Sequence, residues 1–197
     1  MRGVAAVVLA AGGSTRMGRP KQLLPWRGRT LLRHTVDVAA ESNCEPVVVV
    51  LGAAADRLRA ELDGLPVVTA ENPNWESGPG TSIATGVIAI GPADAVVFLA
   101  CDQPLVDAAH VRRLIDARRT TGRPMAASGY AGAVGVPALF ARECFPDLRS
   151  LPPGAGAKHL LARRPDAVAV VPFPAGAIDL DTPDDYERFT REQPHGH

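Results

Sequence analysis

With 197 residues, 46% hydrophobic and 21% charged, the chain has the size and composition of one globular domain and not of a disordered segment. Twenty-one basic residues balance twenty-one acidic ones, which argues against a general nucleic-acid binder and leaves room only for a local basic patch. No apolar run approaches the ~20 residues that a membrane helix needs.

Val4–Leu9 is a continuous Val-rich run, the pattern of a parallel strand buried on both faces. Arg2 and the apolar stretch to Ala11 have the outline of a signal peptide. The run is short, however, and continues into Gly-Gly-Ser-Thr-Arg, so a first strand is the better reading. A Gly-rich loop follows, from Ala11 to Lys21. Thr30 is placed to cap a helix whose stripe is Leu31, Leu32, Thr35, Val38 and Ala39. Pro46–Leu51 reads as a strand, Ala54–Leu62 as a helix and Pro66–Thr69 as a short strand. Glu71–Thr81 carries Asn-Pro and Gly-Pro punctuation and reads as a loop before a small-residue helix, Ser82–Ile90. Ala95–Ala100 is a strong strand ending in Cys-Asp-Gln-Pro. Asp107 caps a helix over His110–Arg119, Pro124–Ser128 is a strand, and Tyr130–Pro137 is a Gly-rich stretch. Gly154–Arg164 begins loose and becomes helical, and Ala167–Phe173 is a strand. Asp179-Leu-Asp181 precedes Thr182-Pro-Asp-Asp185, a capping-box pattern with Pro at the first helical position.

Alternating strands and helices with buried strands predict a three-layer α/β/α sandwich with a mostly parallel sheet. Residues 1–190 form one domain, and the polar tail 191–197 is expected to be disordered. Cys44, Cys101 and Cys144 are odd in number and widely spaced, without a CxxC, which fits a reduced, cytoplasmic compartment and neither a disulfide framework nor a zinc site. Nineteen of the basic residues are Arg, so Lys21 and Lys158, each in or after a Gly-rich stretch, are informative survivors.

Ligands of open α/β sheets bind beyond the carboxyl ends of the strands, where the loop after the first strand lies. Its small residues let backbone approach a ligand, its N–H groups suit phosphate oxygens, and Arg16 and Lys21 add charge. It is not a P-loop, because Arg19-Pro20 follows Gly18 where Lys-Ser/Thr is required. It is not a dinucleotide fingerprint either, since Gly12, Gly13 and Gly18 do not make GxGxxG. Asp102, directly after a buried strand, is placed either to hold a divalent cation or to cap the turn before Pro104. Asp179 and Asp181 alternate with Leu180, so on a strand they would share one face.

The run Leu9-Ala-Ala-Gly-x-Ser-x-Arg-Met-Gly-x-Pro-Lys21, followed by Gln22-Leu-Leu-Pro, resembles the signature of MobA-like nucleotidyltransferases. Cys-Asp102-Gln-Pro resembles their D-x-P metal motif, and Asp179-Leu-Asp-Thr-Pro-Asp-Asp their closing motif. The resemblance spans Val4 to Phe189 and implies a Rossmann-like nucleotidyltransferase fold. It implies that Leu9, Ala10, Ala11, Gly12, Gly13, Ser14, Arg16, Met17, Gly18 and Lys21 form the nucleotide loop. Arg16 and Lys21 would neutralise the α-phosphate and the leaving pyrophosphate, and Mg²⁺ would sit on Asp102 with Asp179, or alternatively Asp181. Asn72-Pro-Asn-Trp75 and Gly78-Pro-Gly-Thr-Ser82 are similar to a base-recognition segment. That makes Gly80 and Ser82 candidates, with Ser82 equally readable as a helix cap and Trp75 as a cover for the loop. Gly135, Pro137 and Lys158 match the acceptor side. Val136 stands where many relatives have His, and Ala155 where Asp is usual. Ala-Ala-Gly with Asp-Gln-Pro resembles molybdenum-cofactor cytidylyltransferases, which implies CTP and a phosphorylated molybdopterin acceptor. Other readings are a guanylyltransferase, another NTP:phosphate nucleotidyltransferase, a non-catalytic accessory protein for a molybdenum enzyme, or a nicotinamide oxidoreductase.

Overall fold

The computed structural model describes residues 3–193. In chain order the elements are β1 (Val4–Leu9), β2 (Pro25–Trp26), β3 (Arg29–Thr30), α1 (Leu31–Glu41), β4 (Val47–Leu51), α2 (Ala55–Glu61), β5 (Val68–Glu71) and α3 (Pro79–Ala89). Then come β6 (Ala95–Ala100), α4 (Ala108–Thr121), β7 (Met125–Tyr130), β8 (Ala133–Ala141), α5 (Phe145–Arg149), α6 (Ala157–Arg163), β9 (Val168–Pro172) and α7 (Pro183–Glu192).

Seven strands form one sheet in the order β5-β4-β1-β6-β8-β7-β9. Only β8 runs against its neighbours, so the sheet is mostly parallel, as expected. Alternate residues of each strand feed opposite faces. Ala6 and Val8 of β1 pack in a core with Leu32 and Val36 of α1, Leu58 of α2 and Val111 and Leu114 of α4. Ala5 and Val7 pack on the other face with Ile83 and Val87 of α3, Leu148 of α5 and Leu160 of α6. Strands this apolar must be covered on both sides, and the helices do so. Gly86 is the tightest point of that cover: a Cβ there would lie 2.5 Å from Val7 Cγ1.

Three sequence expectations are corrected, and one strand is added. The Gly-rich stretch from Tyr130 to Pro137 has no element assigned by the sequence; Ala133 onward is β8, antiparallel to β6 and β7, and its Gly and Pro content concealed it. Ser82 is not a helix cap. The helix begins a turn earlier with Pro79 at its first position, where a missing N–H costs nothing. Asp179-Leu-Asp181 lies outside any strand, although Leu180 is still buried between the two aspartates. The final helix runs to Glu192, so the expected disordered tail does not begin at 191; residues 194–197 lie outside the described residues.

A third, smaller core contains Met17, Leu24, Trp26, Leu31, Leu180 and Phe189. The Trp26 and Phe189 rings lie 4.6 Å apart between centroids. This cluster joins the end of the first loop to the β2–β3 hairpin and α7. Thr182 and Asp185 cap α7 reciprocally, which fixes the segment carrying Asp179 and Asp181.

Candidate active site

Chain direction from β1 leads to β4 on one side and to β6 on the other, so the crevice between β1 and β6 is where such a sheet opens at its carboxyl edge. A cavity of about 430 Å³ sits there, the size of a small-ligand site. Leu9, Ala11, Gly12, Gly13, Ser14 and Lys21 line it from the first loop, Ser82 from α3, and Asp102 from the end of β6.

The first loop has a definite polarity. Its carbonyls turn inward: the Gln22 carboxamide donates to Ala10 O at 2.8 Å and Gly12 O at 3.0 Å, and Ala53 N–H donates to Ala11 O at 3.1 Å. The N–H groups of Gly12, Gly13 and Ser14 have no protein acceptor among the described residues. Unpaired donors in a loop that lines a cavity suit an anion. Ser14 holds a left-handed conformation, φ 51°, and its hydroxyl accepts from Lys21 N–H at 3.1 Å.

Lys21 and Asp102 form an ion pair across the crevice. Lys21 Nζ also meets Asp181 Oδ1 at 3.0 Å, and Arg16 Nη2 meets Asp181 Oδ2 at 2.7 Å. Burial works against the Lys21 ammonium, but the carboxylates of Asp102 and Asp181 outweigh it and raise the Lys21 pKa above its ordinary value. Arg16 stays 70% exposed along its side chain, free to swing toward solvent-borne charge.

Leu180 N–H donates to Asp102 O at 3.0 Å. With the Leu180 side chain buried below, this bond holds Asp179 and Asp181 beside Asp102. Carboxylate oxygens of the three residues lie within 4.8 Å of one another. Crowding by the surrounding protein and the negative charge of Asp102 push the Asp179 carboxyl up to about 7. Both alternatives raised for the second ligand therefore converge on Asp102, and such oxygen donors suit a hard divalent cation.

The remaining expected residues divide. Ala10 is buried behind the loop, with its N–H on Val50 O and its carbonyl on Gln22. Met17 is a core residue of the third cluster and Gly18 a turn residue at φ 70°; neither lines the cavity. Gly80 lies against the 152–155 loop, where a Cβ would come 2.3 Å from Pro152 O, so its smallness serves packing. Ser82 is buried and its hydroxyl accepts from Asn72 Nδ2 at 3.0 Å. Trp75 rests on Gly13, whose Cβ would sit 3.0 Å from the ring, and its face lines the cavity. On the acceptor side, Gly135 is closed in by the Tyr130 hydroxyl and Lys158 Cε. Lys158 Nζ lies 5.8 Å from the Tyr130 ring centre, and Pro137 is buried. Cys101 lines the cavity floor, but burial pushes its thiol up to about 12, which leaves it an inert small apolar residue. Sequence reasoning passed over Gln22, Thr15, Glu76 and Pro79, which also line the cavity. Gln22 stood beside Lys21 in the quoted run, but a buried polar role carries no periodic signal.

Comparison with known proteins places this geometry. The MobA-like NTP transferase domain matches residues 6–168. Purine catabolism protein PucB of Bacillus subtilis is 31% identical over 200 residues, covering 94% of this chain and 95% of that protein. Nicotine blue oxidoreductase of Paenarthrobacter nicotinovorans is 38% identical over 117 residues, which is 59% of this chain and 57% of that protein. The crystal structure of Rv0371c from Mycobacterium tuberculosis H37Rv superposes with a TM-score of 0.82 at 32% identity, covering 96% and 98% of the two chains. Its manganese complex superposes at 0.75 with 33% identity, covering 97% and 99%. The crevice loop, its basic partners and the aspartate cluster sit on a fold shared along nearly the full length of Rv0371c, whereas the chain spans little more than half of the oxidoreductase; the chain belongs to the MobA-like NTP transferase family, a family of nucleotidyltransferases.

Proposed function

We propose that this enzyme moves CMP from CTP to the phosphate of a molybdopterin-type cofactor and releases pyrophosphate. The observation that carries the reading is the polarity of the first loop. Three unpaired N–H groups line the same cavity as Lys21 and the aspartate cluster.

The triphosphate lies along Gly12–Ser14, with Arg16 and Lys21 leaving their aspartates to neutralise it. An oxygen of the acceptor phosphate attacks the α-phosphorus in line. A new P–O bond forms, the bond to the bridging oxygen breaks, and the electron pair leaves with pyrophosphate. The attacking phosphate is already ionised, so no general base is needed. Asp102, Asp179 and Asp181 would hold the cation, Mg²⁺ in the cell, which spreads the phosphate charge when bound. Ser82 and the backbone near Pro79 face the base. Gly135, Pro137 and Lys158 face the acceptor, with Val136 and Ala155 setting its identity. A cytoplasmic location fits three buried, unpaired cysteines. Among the described residues, no helix is long and apolar enough to cross a membrane.

The first test is calorimetric titration of CTP and then GTP, each with Mg²⁺, on the wild type and Asp102→Ala. Preferential CTP binding, weakened by the substitution, supports the reading. Preferential GTP binding overturns the base, and binding of neither overturns nucleotidyl transfer from CTP. The similarity to nicotine blue oxidoreductase favours one second reading, hydride transfer from a nicotinamide cofactor. Titration with NADPH in the same cell separates the two.

A further inference from the structure

Gln22 is only 2% exposed, yet it is polar and lines the cavity from beneath the first loop. Its carboxamide is saturated by that loop. The two N–H bonds go to Ala10 O and Gly12 O, and Oε1 accepts from Ser14 Oγ at 3.3 Å. Each carbonyl shares a rigid peptide plane with the N–H of the following residue. With the carbonyls of Ala10 and Gly12 pinned inward by Gln22, the N–H groups of Ala11 and Gly13 are turned the other way, and Ala53 N–H on Ala11 O does the same for Gly12. Were those planes to turn, carbonyl lone pairs would meet the phosphates and repel them.

We infer that Gln22 is a positioning residue that sets the anion-binding polarity of the first loop, so that triphosphate affinity depends on its two N–H donors although it touches no phosphate. The inference rests on the proposed binding of a nucleotide in this cavity. No other side chain type of this length supplies two donors and one acceptor in a plane without charge. Glutamate is the informative replacement, being the same shape with the donors exchanged for acceptors. Its carboxylate would face two carbonyls and could keep at most one bond, by holding a proton.

The experiment measures dissociation constants for CTP and for inorganic tripolyphosphate, a base-free probe, on wild type, Gln22→Met and Gln22→Glu. Manganese binding without nucleotide and circular dichroism are followed in parallel. Two lost donor bonds predict that Gln22→Met weakens both probes about 30-fold, while manganese affinity stays within about twofold of wild type. For Gln22→Glu the ratio to wild type is expected to be about threefold at pH 5.5 and to exceed about 30-fold at pH 8, as the new carboxyl loses its proton. The ratio cancels the titration of the phosphates and of the native carboxyls. If Gln22→Met fails to fold, the pH course of Gln22→Glu still decides. Wild-type binding of CTP with a pH-independent ratio for Gln22→Glu near unity overturns the role of Gln22. Equal weakening of CTP and manganese also overturns it, since that marks general damage to the site. Failure of the wild type to bind either probe overturns the nucleotide reading itself, and this inference with it.

Discussion

His110 offers a prediction whose direction comes from burial and a fully assigned chain of hydrogen bonds. The ring is buried and stacks on Phe173 with centroids 4.0 Å apart. Ser128 Oγ gives its one proton to Pro137 O at 2.7 Å, so it must accept from His110 Nε2, also at 2.7 Å. His110 Nδ1 then accepts from Arg113 Nη2 at 3.1 Å. Both ring nitrogens are thus occupied in the neutral form, and protonating Nδ1 would place a proton against a guanidinium. Burial and Arg113 accordingly push the imidazole down to about 4. In the unfolded chain its pKa is about 6.5. The folded state therefore binds fewer protons in this interval, and stability falls as pH drops from about 6.5 toward 4. At pH 5 the loss is about 2 kcal/mol. Asp179 works in the opposite sense: its carboxyl, raised to about 7, takes up a proton in the folded state as pH falls. The wild-type curve mixes the two, so the measured quantity is a difference. His110→Gln keeps a donor for Ser128 and an acceptor for Arg113 but does not titrate. Urea unfolding of both proteins, metal-free, at pH 7.5 and pH 5 should show the variant gaining about 2 kcal/mol relative to wild type on acidification. Parallel curves, differing by the same amount at both pH values, would refute the neutral-histidine chain. The chain ends on the carbonyl of Pro137, so it ties α4 through β7 to β8.

Replacing Asp102 with Asn should lower nucleotidyl transfer by about 10²-fold or more in a pyrophosphate-release assay, with unfolding in urea little changed, because the group lies at the cavity mouth and not in the core. Lys21→Met should tighten manganese binding in the absence of nucleotide by about tenfold, read by calorimetry, because the ammonium now occupies Asp102 and Asp181. The same variant should bind CTP more weakly, and unchanged manganese affinity would show that the ion pairs do not compete with the cation. Gly80→Ala forces a Cβ against three backbone oxygens of the 152–155 loop and should destabilise by about 1–3 kcal/mol in thermal unfolding. Thr182→Ala removes the reciprocal cap of α7 and should cost about 1 kcal/mol.

The sequence alone carried the layered α/β architecture, because hydrophobic runs such as Val4–Leu9 and Ala95–Ala100 exist only where both sheet faces are covered. Caps were legible for the same reason of local chemistry. Thr30, Asp107 and Thr182 each bond the backbone three residues on, as their positions predicted. The signature after β1 and the aspartates after β6 and before α7 were also readable as motifs. What the sequence could not decide was how they meet. That Asp179 and Asp181 both reach Asp102 depends on one backbone bond from Leu180, made between segments far apart in the chain. That Met17 and Gly80 serve packing while Gln22 shapes the loop depends on what surrounds each, and burial is a property of the assembled layers. Strand β8 was hidden because its pairing comes from neighbours on both sides, which outweigh the weak strand preference of its glycine and proline. Local sequence fixes periodicity and caps. The polarity of the loop and the convergence of three carboxylates are set by contacts that only the folded sheet brings within reach.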